Sequence, residues 1–328
     1  MNTSYLILIA ISIYSFISIV YVYKLRGKTR YTSLSQYLRK SWPIFAPLNC
    51  ILYMTTRSFA RQPVLSADYL KNIAVLRDNW QIIRDEALNL HQSGVLDAIK
   101  TPGAVGYYDV GFRTFYKRGW SKFYLSWYGT NHHSALRLCP QTMALLKQVP
   151  EVRGAMFSVL PEHSNLTIHA DPMASSFRYH LGLATPNSTH CFIDVDTQQC
   201  HWHDGKDFVF DETYPHFVQN NTSKPRLILM CDVDRPLNIL GRCCNVFYRV
   251  LIKGTVVPNT TEDERGIFSA LFAALAPLKT ITVKLRAEHR NIYKILKWAI
   301  NSSLLLLLLA LLYGLITLVS MLFSSSQR

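Results

Sequence analysis

Two uncharged apolar runs stand at the ends of this chain and constrain it before any motif does. Tyr5 to Tyr23 reads YLILIAISIYSFISIVYVY, and Asn301 to Phe323 reads NSSLLLLLLALLYGLITLVSMLF. As a helix, each is long enough to cross a hydrocarbon layer of about 30 Å. Membrane spans are therefore expected at 1–23 and 298–323. A signal peptide is the rival reading of the first run, but no small-residue cleavage site follows it and the positive charge comes after it. Lys24, Arg26, Lys28 and Arg30 border the first run, and Lys284, Arg286, Arg290, Lys294 and Lys297 border the second. Positive charge gathers on the cytoplasmic side, which places 24–297 in the cytoplasm and both termini outside.

The net charge of +14 belongs to the flanks. Lys24 to Arg61 holds eight Lys or Arg and no acid, whereas Glu151 to Arg235 holds eleven acids against six Lys or Arg. Attraction to anionic headgroups accounts for that placement. No nucleic-acid partner is expected, because the central domain has neither a recurring basic face nor a binding motif. The seven cysteines are odd in number and contain no CxxC, so reduced thiols are expected, without structural zinc or a disulfide framework. Sequons such as Asn187-Ser-Thr carry no weight in a cytoplasmic domain.

Between the spans, three segments are expected. Residues 24–65 form a basic juxtamembrane segment, in which Trp42 to Met54 is apolar but too short to cross. Residues 66–235 form a β domain with N-terminal helices, since 66–98 has helical apolar spacing. Aromatic and β-branched runs predict strands at Lys122–Tyr128, Ala155–Leu160, Arg178–Leu183, Cys191–Val195, Asp207–Phe210 and Arg226–Val233. Cys139–Lys147 is expected to be a short helix. So many short strands point to a jelly roll. Residues 236–297 are amphipathic and basic, and the apolar part 266–278 is equally compatible with the membrane surface and with packing on the domain.

The chemistry concentrates between Ile168 and Asp234. On a strand, His169 and Asp171 would point to one side. His216 follows after several strands and Arg226 ten residues later. Two histidines and a carboxylate can hold iron(II) with one face open, and an arginine just beyond can grip a carboxylate with two parallel bonds. His201 and His203 also share a strand face, but the adjacent Asp204-Gly205 suggests a solvent-facing hairpin tip. His132-His133 reads as loop.

The segments WSKFYLSWYG, RGAMFSVLP, HADP, FRYHLGL, HWHDGK, FDETYPH and RLILMCD resemble the aspartyl/asparaginyl β-hydroxylase family of Fe(II)/2-oxoglutarate oxygenases, over about 105–236. The likeness is greatest to the bacterial lipid A hydroxylases of that family. The resemblance implies a mostly β protein, with a double-stranded β-helix (jelly-roll) catalytic domain, helical flanks and two transmembrane helices. It implies His169, Asp171 and His216 as catalytic iron ligands, with 2-oxoglutarate and O2 as cosubstrates. Arg226 and Ser158 would meet the 5-carboxylate of 2-oxoglutarate, and Arg178 and His180 would line its pocket. It further implies a multi-pass protein of a bacterial inner membrane that 2-hydroxylates a fatty acyl chain of lipid A. The alternatives are another acylated lipid, such as an ornithine lipid, or an Asp or Asn side chain of a protein. A zinc hydrolase would accept the same ligands but leaves Arg226 unexplained.

Overall fold

The structure is a computed structural model and describes residues 3–107, 109, 119–276 and 278–325. Contacts divide the chain into two units, 1–20 with 274–328, and 21–273. In the first, helix α1 (Thr3–Val20) lies beside a long C-terminal helix (Arg290–Ser325). Among the described residues, one helix, Tyr5–Leu25, is long and apolar enough to cross a membrane. The expected second span falls within Arg290–Ser325, but many of its side chains lie outside the described ones. That span remains an expectation.

The second unit carries the chemistry. Its helices are α2 (Leu34–Lys40), α3 (Ala46–Thr55), α4 (Ala74–Asp78), α5 (Trp80–Gln92), α6 (Val95–Ile99), α7 (His133–Leu138), α8 (Pro140–Leu146), α9 (Ile239–Lys253) and α10 (Ile267–Leu275), the last reaching the boundary between the units. The single helical region expected over 66–98 is thus a short 3-10 turn and three helices. The break between α5 and α6 falls at Gly94, whose φ of 74° only glycine adopts without strain.

The strands are β1 (Val64–Leu65), β2 (Ser121–Trp127), β3 (Thr130–Asn131), β4 (Val152–Leu160), β5 (Ser164–His169), β6 (Ser176–Ala184), β7 (Cys191–Val195), β8 (Gln198–His201), β9 (Asp207–Phe210), β10 (His216–Asn220) and β11 (Arg226–Asp234). They form a seven-stranded sheet in the order β1-β9-β6-β11-β4-β2-β3 and a four-stranded sheet in the order β5-β10-β7-β8. From β4 onward the chain alternates between the sheets, except at the β7–β8 hairpin. That is how a jelly roll is wound.

Alternation along the strands separates two cores. Phe157, Val159, Tyr179, Leu181, Leu227 and Leu229 face the helices. The residues between them, with Trp202 and Val218, face the gap between the sheets. Register pairs Ser158 with Ile228, His180 with Met230 and Arg178 with Asp232, all in phase with Arg226 along β11, so the period of two delivers the four to one face of the sheet.

Candidate functional site

His169 ends β5 and His216 begins β10, and these two residues are directly paired across the antiparallel ladder. Their rings lie 4.2 Å apart between centroids. His169 Nδ1 is 3.0 Å from the Thr167 carbonyl and His216 Nδ1 is 2.9 Å from the Tyr214 carbonyl. A carbonyl only accepts, so each Nδ1 carries the proton and each Nε2 presents a lone pair. Burial pushes His169 down to about 3, helped by the neighbouring His216, and pushes His216 down to about 4. Both imidazoles are therefore neutral, as metal ligands must be.

Asp171 completes the group. Ligand atoms of His169, Asp171 and His216 all lie within 4.8 Å of one another. Asp171 is not on the strand, because β5 stops at His169 and Pro172 follows. Its position is set by its own N–H, which donates to the Glu212 carbonyl at 2.9 Å. Arg178 donates to Asp171 Oδ2 at 2.9 Å, while Oδ1 turns toward His169 Nε2 at 3.8 Å. Two imidazole lone pairs and one carboxylate oxygen, fixed by neighbours and partly open to solvent, fit a ferrous ion with vacant positions.

Arg178 is held inside a ring of carboxylates. Besides Asp171 it meets Glu212, and its Nε lies 3.3 Å from Asp232. Burial raises Glu212 and Asp232 above the usual carboxylate range, against the pull of Arg178. The guanidinium expected to line a cosubstrate pocket is thus engaged in orienting Asp171.

Arg226 is in the opposite situation. Its side chain is 1% exposed, yet no carboxylate faces it among the described residues. One terminal nitrogen reaches Ser158 Oγ at 3.5 Å, Nε has no partner, and the guanidinium lies 4.3 Å from the Trp202 ring centre and 5.6 Å from that of Trp120. Burial lowers its pKa to about 10. An uncompensated buried cation is costly, so this arrangement calls for an anionic guest. His180 points to the same guest. Its Nδ1 accepts from Trp202 Nε1 at 3.3 Å, so Nε2 carries the proton, and that buried donor has no acceptor among the described residues. Gly182 lets the loop bearing Trp202 approach: a Cβ there would lie 2.1 Å from the His203 carbonyl oxygen.

Several contributors escape a sequence reading. Trp202 and Glu212 lie inside the quoted motifs but carry no ligand signature. Arg26, read as a topology charge, is buried between the Tyr53 and Tyr214 rings at 3.9 and 3.6 Å and donates to Asp211 and the Thr213 carbonyl. It thereby braces the turn that leads into His216. His132 lies in the loop between β3 and α7, as expected, whereas His133 opens α7; His132 is nonetheless buried, stacked on Tyr124, with Nε2 2.9 Å from the Val257 carbonyl. All seven cysteines are free thiols.

The sequence profile of the Aspartyl/Asparaginyl beta-hydroxylase family matches residues 77–236. That segment, just under half of the chain, spans β2 to β11 with every residue of the site, and over it the chain is similar to the family. An ornithine lipid ester-linked acyl 2-hydroxylase of Rhizobium tropici is 35% identical over 127 residues, covering 38% of this chain and 45% of that protein. The human aspartyl/asparaginyl beta-hydroxylase is 31% identical over 173 residues, covering 51% of this chain and 22% of that protein. The chain thus spans less than half the length of either relative. Among solved structures, a Pseudomonas putida prolyl-4-hydroxylase is 14% identical with a TM-score of 0.32, covering 48% of this chain and 88% of that one. Likeness at that level carries no argument.

Proposed function

We propose that this protein is an Fe(II)/2-oxoglutarate-dependent dioxygenase that hydroxylates a fatty acyl chain of a membrane lipid. The specific reaction we assign is 2-hydroxylation of lipid A at the cytoplasmic face of a bacterial inner membrane. The carrying observation is the buried Arg226, which no carboxylate faces among the described residues, in the same jelly roll as the His169/Asp171/His216 group, two of whose members are partly exposed. Arg226 and Ser158 would hold the far carboxylate of 2-oxoglutarate, and His180 Nε2–H would donate to the same molecule. His169, Asp171 and His216 would hold iron. With O2, the loaded site would supply an oxidant able to take hydrogen from an unactivated methylene, whose protons no side chain can usefully abstract. The protein's own work is positional: carbonyls fix the tautomers, Arg178 aims the carboxylate, and the apolar core between the sheets keeps water from the guest.

A lipid substrate is supported by the bacterial acyl 2-hydroxylase relative and by the apolar Tyr5–Leu25 helix. The same relative favours a second reading, in which an ornithine lipid is the substrate. Mass spectrometry of lipid A and ornithine lipids, extracted from cells expressing the chain or its His169→Ala variant, separates them. One extra oxygen on a lipid A acyl chain, absent with the variant, supports the assignment. The same oxygen on ornithine lipids supports the second reading. Neither product, from protein that still turns over 2-oxoglutarate, overturns both and leaves a protein side chain as substrate.

A further inference from the structure

Helix α9 is apolar on two opposite sides. Tyr248, Ile252, Gly241 and Asn245 face inward and pack on α3, so closely that a Cβ at Gly241 would lie 2.3 Å from Thr55 Oγ1. The other side faces outward: Ile239 is 74% exposed, Leu240 61%, Val246 57%, Phe247 58% and Val250 67%, with Cys243 exposed among them. At about 100° per residue these six cover an arc of roughly 120°. Arg242 and Lys253 fall along one edge of that arc, with Arg249, which is paired with Asp234 at 2.6 Å, and the helix has no acid.

Scattered exposed apolar residues are ordinary, but a contiguous helical stripe with a cationic border is not. We infer that this face of α9 lies in the interface of an anionic lipid bilayer, with its apolar arc among the acyl chains and Arg242 and Lys253 at the headgroups. Two observations select lipid over a second copy of the chain. A two-fold pairing of α9 with itself would bring like charges together with no acid on the helix to offset them. In addition, the helix Tyr5–Leu25, long enough to cross a bilayer, leads directly into this unit at Tyr21. The stripe would hold the domain on the membrane by its surface as well as by its anchor, whatever molecule the iron site oxidises.

The test uses the full chain reconstituted in phosphatidylethanolamine/phosphatidylglycerol vesicles. Nitroxide labels go on Cys243 and on the Val246→Cys, Phe247→Cys and Val250→Cys variants, the last three in a C243S background. All four positions are exposed, so labelling leaves the fold intact. Collisions with oxygen and with a water-soluble nickel chelate are then compared at each site. The inference requires oxygen to dominate at all four, by about tenfold over a label on Arg84→Cys at the surface of α5. Dominance of the nickel chelate would overturn it by placing the face in water. Low access to both reagents would also overturn it, by showing a protein partner on the stripe.

Discussion

At the scale of single residues, the site sets Arg178, which meets carboxylates, against Arg226, which meets none among the described residues. Arg178 has three carboxylates, and Arg226 has two indoles and a distant hydroxyl. Opposite consequences follow. Arg226→Met should raise the KM for 2-oxoglutarate by at least about 30-fold, from the loss of roughly 2 kcal/mol or more of a buried charge pair. It should leave the melting temperature of the ligand-free protein unchanged or higher, because a desolvated cation is removed. Succinate formation at varied 2-oxoglutarate, beside thermal melts, checks both halves. Arg178→Met should instead strand Asp171, Glu212 and Asp232. A drop in iron(II) affinity of about 10- to 100-fold is expected, the usual effect of losing a group that orients a ligand; titration of the apoprotein with iron under anaerobic conditions measures it. His169, Asp171, His216 and Arg226 were legible in the sequence because their residue types and order are those the chemistry needs. The role of Arg178 was not, because which carboxylates surround it depends on segments seven to 54 positions away.

At the scale of elements, pairing of β5 with β10 converts two distant histidines into neighbours, and close backbone approach at Gly182 sets Trp202 under Arg226. Gly182→Ala places a Cβ against the His203 carbonyl, which is backbone and cannot rotate away. We expect a loss of about 1–3 kcal/mol, typical of overpacking, read as a lower denaturant midpoint, together with weaker 2-oxoglutarate binding as Trp202 withdraws. An undiminished affinity would show that Trp202 is not part of the carboxylate site. Six strands, β2, β4, β6, β7, β9 and β11, were readable from alternation and aromatic content, whereas β1, β3, β5, β8 and β10 did not stand out as such runs. The turn that carries Asp171 was not: a strand-face argument reached the right pair, but the observed cause is the Asp171 N–H to Glu212 bond after the strand has ended. The outward side of α9 was equally hidden, since a helix apolar nearly all round does not announce which side meets protein.

At the scale of the whole molecule, the site makes the ligand-free fold acid-sensitive. Burial holds His169, His180 and His216 below their unfolded value of 6.5. Neutral imidazole is thus the native form, and its contribution is fully present above pH 6.5 and lost as pH falls through the folded pKa values. At pH 5 each of these histidines would cost up to about 2 kcal/mol, from 1.36 kcal/mol per unit. Thermal melts of the apoprotein from pH 7.5 to 5 should fall steeply, and His180→Phe should flatten the slope. An unchanged slope in that variant would show that His180 does not contribute.

By itself the sequence determined what is local or compositional: the apolar ends, the alternation within single strands, and the ordered ligand types. These are legible because side-chain direction repeats every two residues and membrane length is a count. The tertiary structure alone decided which charges are compensated. It buried Arg26 under the His216 turn, enclosed Arg178 in carboxylates, set Arg226 between two tryptophans with no carboxylate among the described residues, and turned one apolar side of a helix outward. The energy of a charge or an apolar face depends on what packs against it across space, and that partner has no fixed distance along the chain.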